Sequence, residues 1–286
     1  PLLKYSLIDS VADLESQMVE EKLILGEIVL KGQGTVIYAA PNTGKTLILL
    51  SLIVQSIKGG KLDPSKLYYV NMDDNSNGLV TKGRIATEYG FHMIADGYLG
   101  FEARKFPDAM ETMTAEDTAK GVVVVIDTLK KFVNTMDKTK SSNFTKVVRR
   151  FVLKGGTVVA LAHVNKNPGP DGSVRYSGTT DIVDDLDCAY TMSTVSADEA
   201  SGMKVVEFKK IKGRGNVAYT AGYSYALTRG LSYEELLLSV QEVDPTKLEP
   251  IKQAAELASD TTVIKAIHAC IVEGTDTKMK LVQAAA

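Results

Sequence analysis

A candidate phosphate-binding loop is the first feature of this sequence that points to chemistry. Residues 39–46 read Ala-Ala-Pro-Asn-Thr-Gly-Lys-Thr, after the mainly apolar stretch 35–38 and before the apolar run 47–57. This order predicts a strand, a tight loop and a helix, which is the context of the Gly-x-x-x-x-Gly-Lys-Thr phosphate-binding loop. The sequence departs from that pattern at one position, where Ala39 replaces the first glycine.

The loop predicts how a nucleotide is bound. Backbone N–H groups at the N-terminus of a helix attract anions, and the helix dipole strengthens the attraction. Lys45 is placed to reach the outer phosphates, and the Thr46 hydroxyl can ligate Mg²⁺. We therefore predict a nucleotide-binding protein whose cofactor-binding residues form one segment: Pro41, Asn42, Thr43, Gly44, Lys45, Thr46 and Leu47.

Polar residues at the ends of three predicted strands are candidates for catalysis. Asp127 closes an apolar strand, and a carboxylate there fits the acid that orients Mg²⁺ and its water. Thr128 follows it where many P-loop ATPases carry a glutamate, so the catalytic acid must come from elsewhere. Asp73 and Asp74 end another strand and are candidates, although a helix cap or a turn uses the same residue type. His163 closes a third strand, either as a structural histidine or as a hydrogen-bonding partner of a γ-phosphate.

Basic residues are concentrated in two regions. The segment 208–215 is either a solvated strand edge or, through cations such as Arg214, a group that reaches the γ-phosphate of a neighbouring subunit. Other cations follow the Asp127 and His163 strands. They either lie on a solvated face or line a path for a phosphate backbone: Lys130, Lys131, Lys138, Lys140, Lys146, Arg149, Arg150, Lys166 and Arg175. The loop 166–180, which includes Tyr176, is the best candidate for contacts with single-stranded nucleic acid.

Predicted strands and helices alternate along most of the chain. Alternation of this kind predicts an α/β fold with a mostly parallel sheet, whose ligands lie beyond the carboxyl ends of the strands. We divide the chain into a lead-in (1–33), an α/β domain (34–244) and a helical C-terminal segment (245–286), which is a capping helix or an incomplete winged-helix module. Apolar runs predict strands at 36–39, 67–72, 122–126, 157–162, 188–192 and 205–211, and helical spacing predicts helices at 46–57, 78–89, 142–153 and 180–185.

Composition narrows the function classes. The net charge of −2 over 286 residues shows no global basicity, so any nucleic-acid binding must come from a local patch. Cys188 and Cys270 lack metal-ligand spacing, and we expect two reduced, buried thiols. No apolar run reaches about 18 residues, so no transmembrane helix is expected. No signal peptide is visible, and we expect a cytoplasmic protein.

Together these residues resemble the RecA-like ATPases, most closely the hexameric replicative helicases of the RepA kind from plasmids and phages. The resemblance covers roughly residues 25–240. Its specific parts occur in the family's order: the loop 39–46, Asp73, Asp127, His163, the loop 177–180, Lys212 and Arg214.

The resemblance implies a RecA-like core that binds ATP and Mg²⁺ between neighbouring subunits. It implies that Thr46 and Asp127 hold the metal, that Asp73 activates the attacking water, and that His163 senses the γ-phosphate. The family usually has a glutamate where Asp73 stands, and Asp74 remains the alternative acid.

The resemblance also implies a homo-oligomer, either a hexameric ring or a filament. Lys212 and Arg214 match a Lys-x-Arg pair that in the family reaches into the next subunit's site, and the loops after Asp127 and His163 lie where family members line a channel for single-stranded DNA. Three functions stay open: a replicative helicase motor, a recombination or repair filament, and a regulatory ATPase that acts on protein partners.

Overall fold

The computed structural model describes residues 2–8, 10–132, 138–164, 183, 185–198 and 201–272. The strands within these ranges are β1 (Leu23–Leu25), β2 (Val29–Leu30), β3 (Gly34–Ala39), β4 (Leu67–Asn71), β5 (His92–Ala95), β6 (Val123–Asp127), β7 (Thr157–His163), β8 (Cys188–Asp198), β9 (Met203–Lys212), β10 (Thr220–Ala226) and β11 (Gln241–Val243). The helices are α1 (Val11–Gln17), α2 (Lys45–Lys58), α3 (Ser76–Tyr89), α4 (Phe106–Ala115), α5 (Lys138–Leu153), α6 (Tyr233–Leu238) and α7 (Pro245–Val272). Short 3₁₀ helices lie at Leu3–Tyr5, Pro64–Lys66, Ala103–Lys105 and Leu129–Lys131.

One nine-stranded sheet organises the molecule, in the order β11-β10-β9-β8-β3-β7-β6-β4-β5. The strands from β5 to β8 in this order are parallel, and β9, β10 and β11 extend the sheet as antiparallel neighbours. A separate two-stranded sheet pairs β1 with β2. The predicted α/β fold with a mostly parallel central sheet is confirmed.

The sheet is covered by helices on both faces, as parallel sheets require. Along β6, Val123 and Val125 pack into the cluster that contains α2, α3 and α6, while Val124 and Ile126 pack into the cluster that contains α4 and α5. All five β6 residues are buried, which explains why this strand reads as an uninterrupted apolar run closed by an aspartate.

The predicted strands all occur; β8 continues six residues past its predicted end, and the others differ by at most two residues at either end. The first three predicted helices occur as α2, α3 and α5. The predicted helix at 180–185 falls mostly outside the described residues. Strand β10 and the short helix α6 have no counterpart among the predicted elements. Strand β10 reads Thr-Ala-Gly-Tyr-Ser-Tyr-Ala, and its small residues gave no strong apolar run. Hydrogen bonding to β9 and β11 holds this segment as a strand although its own sequence gives only a weak strand signal.

Helix α7 begins at Pro245, one residue after the predicted boundary at 244, and continues to Val272. The boundary and the winged-helix alternative remain predictions. Cys188 is a buried free thiol, and burial raises its pKa to about 11. The side chain of Cys270 lies outside the described part of the structure. Among the described residues, no helix combines the length and the apolar character needed to cross a membrane.

Candidate nucleotide-binding site

The predicted phosphate-binding loop connects β3 to α2 at the carboxyl end of the parallel strands. Its left-handed residues are Asn42, with φ of 61°, and Gly44, with φ of 93°. Gly44 is the N-cap residue of α2 and no side chain caps this helix, so its first N–H groups point into the loop without a side-chain acceptor. Ala39 lies within β3, paired with His163 of β7, where extended backbone accepts a Cβ. Ala39 in place of the motif's first glycine therefore causes no backbone strain in the loop.

The antiparallel part of the sheet supports this loop from the side. The Tyr225 hydroxyl donates to the Thr43 carbonyl over 3.1 Å, and Lys204 Nζ donates to the Asn42 carbonyl over 2.8 Å. A Cβ at Gly44 would lie 2.6 Å from the Tyr225 hydroxyl, so the ring packs directly on the glycine. Burial lowers the pKa of Lys204 and raises that of Tyr225. The sequence analysis missed both residues, which lie more than 160 positions from the loop.

Asp127 is the centre of the polar contacts below the loop. Its Oδ2 atom accepts hydrogen bonds from Thr46 Oγ1 over 2.9 Å and from the Tyr69 hydroxyl over 2.7 Å. Tyr69 is fully buried, and its burial and the adjacent Asp127 hold the pKa of its hydroxyl well above the usual value. Tyr69 therefore stays a donor and fixes the carboxylate next to Thr46. The peptide bond between Asp127 and Thr128 is cis.

The two candidate acids at the end of β4 point in different directions. The Asp74 carboxylate forms an ion pair with Lys82 over 2.5 Å and accepts from Asn71 Nδ2 over 2.5 Å. The Asp73 side chain is 54% exposed, and its Oδ2 lies 3.9 Å from Nε2 of His163. Only Asp73 therefore combines access to solvent with a position beside the predicted phosphate sensor.

Lys45, Asp73, Asp127 and His163 form one electrostatic group. Burial lowers the pKa of Lys45, and the carboxylates of Asp127 and Asp73 act in the opposite direction. Burial and then the positive charge of Lys45 lower the pKa of His163, which keeps the imidazole neutral at neutral pH. The His163 Nδ1 atom is buried without a partner among the described residues.

A cleft of about 460 Å³ opens between the phosphate-binding loop, the start of α3 and α6. Tyr233, the first residue of α6, lines this cleft, and its buried hydroxyl has no partner among the described residues. The sequence analysis missed Tyr233 because α6 was not predicted. The cleft is lined by Asn42, Gly44, Lys45, Thr46, Leu47, Asp74, Asn77, Gly78, Thr81, Lys82 and Tyr233.

Lys212 and Arg214 do not join this group. The Arg214 backbone N–H donates to the Asp187 carbonyl, and the Asp187 N–H donates to the carbonyl of Gly34, the first residue of β3. The five steps of β3, at about 3.3 Å each, place the pair roughly 16 Å from the loop side of the sheet. Arg214 forms an ion pair with Asp187 over 3.1 Å, and Lys212 donates to the Val183 carbonyl. These two cations cannot reach the phosphate-binding loop of their own chain.

Several residues of the predicted DNA path cannot be placed. The loop 166–180, with Lys166, Arg175 and Tyr176, lies outside the described residues, as do the side chains of Lys138 and Lys140. Lys130 and Lys131 are described, and both are exposed in the 3₁₀ helix that follows β6.

The residues present fit a magnesium nucleotide. Uncapped N–H groups at the start of α2 and the buried Lys45 suit phosphate oxygens, and the hydroxyl of Thr46 and the carboxylate of Asp127 are the oxygen ligands that Mg²⁺ prefers. This loop, on a mostly parallel sheet with helices on both faces, defines a P-loop ATPase with a RecA-like core.

Comparison with known families agrees with this class. The model of the AAA domain family AAA_25, a family of P-loop ATPases, matches residues 3–169, more than half of the 286 residues. The chain belongs to this family. No curated protein matches the chain in a sequence search.

Proposed function

We propose that this protein is an oligomeric, magnesium-dependent ATPase that acts as a motor on single-stranded DNA, of the type found in plasmid and phage replicative helicases. The observation that carries the proposal is the convergence of Lys45, Thr46, Asp73, Asp127 and His163 at the carboxyl end of the parallel strands. These residues come from four separate parts of the chain, and the fold brings them to the same end of the sheet.

Each residue has a definable part in hydrolysis. Lys45 binds the outer phosphates, and the Thr46 and Asp127 side chains hold the metal site. Asp73 is the exposed carboxylate that accepts a proton from the attacking water, and the neutral His163 ring donates one hydrogen bond to the γ-phosphate. Bound Mg²⁺ supplies charge neutralisation for the transferred phosphoryl group.

The positions of Lys212 and Arg214 support action between subunits. Both lie at the amino end of the sheet, away from their own phosphate-binding loop. Arg214 is 56% exposed, so a neighbouring chain can reach it. An arginine supplied in trans stabilises the charge of a phosphoryl-transfer transition state. This placement favours a homo-oligomer with sites between subunits.

The DNA assignment is supported by charge near the site. Lys130 and Lys131 are exposed directly after the Asp127 strand, and the positive charge of Lys130 acts on the pKa of His163. Cations this close to the site can couple the binding of single-stranded DNA to the presence of the γ-phosphate. A recombination filament and a regulatory ATPase acting on proteins remain the alternative functions.

ATP turnover measured with and without single-stranded DNA, over a series of salt concentrations, tests the proposal. We expect turnover that is stimulated by DNA, with a stimulation that weakens as salt rises because phosphate contacts release counterions. Lys45→Ala is the control, and we expect it to abolish turnover. Turnover that DNA does not change would favour the regulatory ATPase, and turnover retained by Lys45→Ala would refute the assignment of the loop.

A further inference from the structure

Helix α3 carries a buried lysine that no motif explains. The Lys82 side chain is 8% exposed, and its Nζ atom lies 2.5 Å from Asp74 Oδ2 and 3.9 Å from Asp127 Oδ2. A buried ammonium group is costly unless it is paired, so these carboxylates determine where Lys82 can lie. Ile85 and Ala86 are buried on the same face of α3, which places Lys82 in a row of core residues.

The turn between β4 and α3 is built around this ion pair. Asn71 at the end of β4 is buried, and its Oδ1 accepts from the backbone N–H groups of both Asp73 and Asp74 over 3.3 Å. Its Nδ2 atom donates to the same Asp74 oxygen that binds Lys82. The buried Asn71 amide thus fixes the backbone of Asp73 and Asp74 and also the carboxylate of Asp74.

Helix α3 makes room for the inward carboxylate. A Cβ at Gly78 would lie 2.9 Å from Asp74 Cγ, so the glycine allows Asp74 to pack against the helix. Gly78 and Lys82 are four residues apart and therefore share a face. Asp74 is held between them, while Asp73 remains exposed beside His163.

We propose that Lys82 is a positioning residue of the ATPase site: it holds Asp74 against α3 and so leaves Asp73 as the exposed carboxylate of this turn, beside His163. The proposal rests on the function proposed above. Without Lys82, the negative charge of Asp74 is unpaired close to Asp127 and Asp73, and repulsion displaces the turn. A displacement of about 1 Å at a catalytic group can cost about 100-fold in rate.

The test compares steady-state ATP hydrolysis, binding of a fluorescent ATP analogue and thermal denaturation in five proteins. These are the wild type, Lys82→Met, Lys82→Arg, the double variant Lys82→Met with Asp74→Asn, and Arg84→Met. Arg84 is an exposed cation two residues further along α3, so its variant controls for the loss of one positive charge from this helix.

For Lys82→Met we expect kcat to fall about 10- to 100-fold, with KM and analogue affinity within about threefold of the wild type. Lys82→Arg keeps the ion pair, and the double variant removes the unpaired carboxylate, so both recover most of the lost turnover. Arg84→Met matches the wild type. If Lys82→Met does not fold, the double variant and Lys82→Arg still decide the question.

Three results would overturn the proposal. Lys82→Met could be as active as Arg84→Met, it could lose analogue binding and stability together, or the folded double variant could bind the analogue but remain as slow as the single variant. A wild-type protein that binds no nucleotide and hydrolyses none would instead refute the proposed function itself.

Discussion

Asp73 and Asp74 are adjacent and chemically identical, yet their surroundings differ completely. Asp74 is paired with Lys82 and Asn71, whereas Asp73 is more than half exposed and near His163. The Asp74 carboxylate cannot turn toward a water molecule without breaking its contacts with Lys82 and Asn71, whereas the Asp73 carboxylate is open to solvent. The surroundings therefore favour Asp73 as the carboxylate that accepts a proton from the attacking water.

We expect Asp73→Asn to lower kcat by about 100-fold or more, since general-base catalysis contributes about 10²–10⁴-fold. Binding of an ATP analogue should persist, because Lys45 and the N-terminus of α2 are unchanged. Single-turnover hydrolysis and analogue titration measure the two effects separately. The double variant Lys82→Met with Asp74→Asn, which removes the neighbouring carboxylate together with its buried partner, is the matched control and should keep at least about a tenth of the turnover. The opposite ranking of the two variants would assign the role to Asp74.

At the scale of elements, the phosphate-binding loop depends on both parts of the sheet. Strands β3 and β7 and helix α2 form the loop itself, and β9 and β10 support it through Lys204 and Tyr225. Gly44 is in the left-handed region and packs against the Tyr225 ring, so a side chain at this position is excluded for two reasons. The antiparallel strands thus support the loop through two residues, Lys204 and Tyr225, that belong to no motif in the sequence analysis.

Tyr225→Phe tests this support. The substitution removes one hydrogen bond to the Thr43 carbonyl, which is worth about 0.5–1.5 kcal/mol, and it should weaken nucleotide binding about two- to tenfold. Titration of the purified variant with a fluorescent ATP analogue measures the change. Tyr219→Phe, at an exposed tyrosine before β10, is the control and should bind like the wild type. Equal affinity of the two variants would show that the loop does not need this contact.

At the scale of the whole molecule, the residues proposed to act in hydrolysis are divided between opposite ends of the sheet. The loop, Asp73, Asp127 and His163 lie at the carboxyl end of the parallel strands, and Arg214 lies at the amino end. Under the proposed function, one chain therefore contributes to two different sites, one through its loop and one through Arg214. A head-to-tail assembly would complete a site at every interface, in a closed ring or in an open filament.

Mixing two inactive variants tests this arrangement. Arg214→Ala should lose about 10³-fold or more in turnover, as expected for an arginine supplied in trans. Arg214→Ala mixed with an equal amount of Lys45→Ala should recover activity, because about a quarter of head-to-tail interfaces then combine an intact loop with an intact arginine. Arg104→Ala, which removes an exposed arginine elsewhere, should stay active without mixing. No recovery in assembled mixtures would exclude action between subunits.

Local sequence determined much of this protein. The phosphate-binding loop, the strands that carry Asp127 and His163, and the α/β class follow from short-range patterns: apolar runs, a glycine before a helix, and polar residues at strand ends. These features are visible because each depends on residues a few positions apart.

Which of these residues come into contact is set by the tertiary structure. It separated Asp73 from Asp74 through the buried pair with Lys82, and it brought Tyr69, Lys204 and Tyr225 to the nucleotide site. It also placed Arg214 away from its own loop. These outcomes depend on strand order and register, which are set by the packing of segments far apart in the chain. Short-range sequence patterns do not indicate which residues from distant segments come into contact.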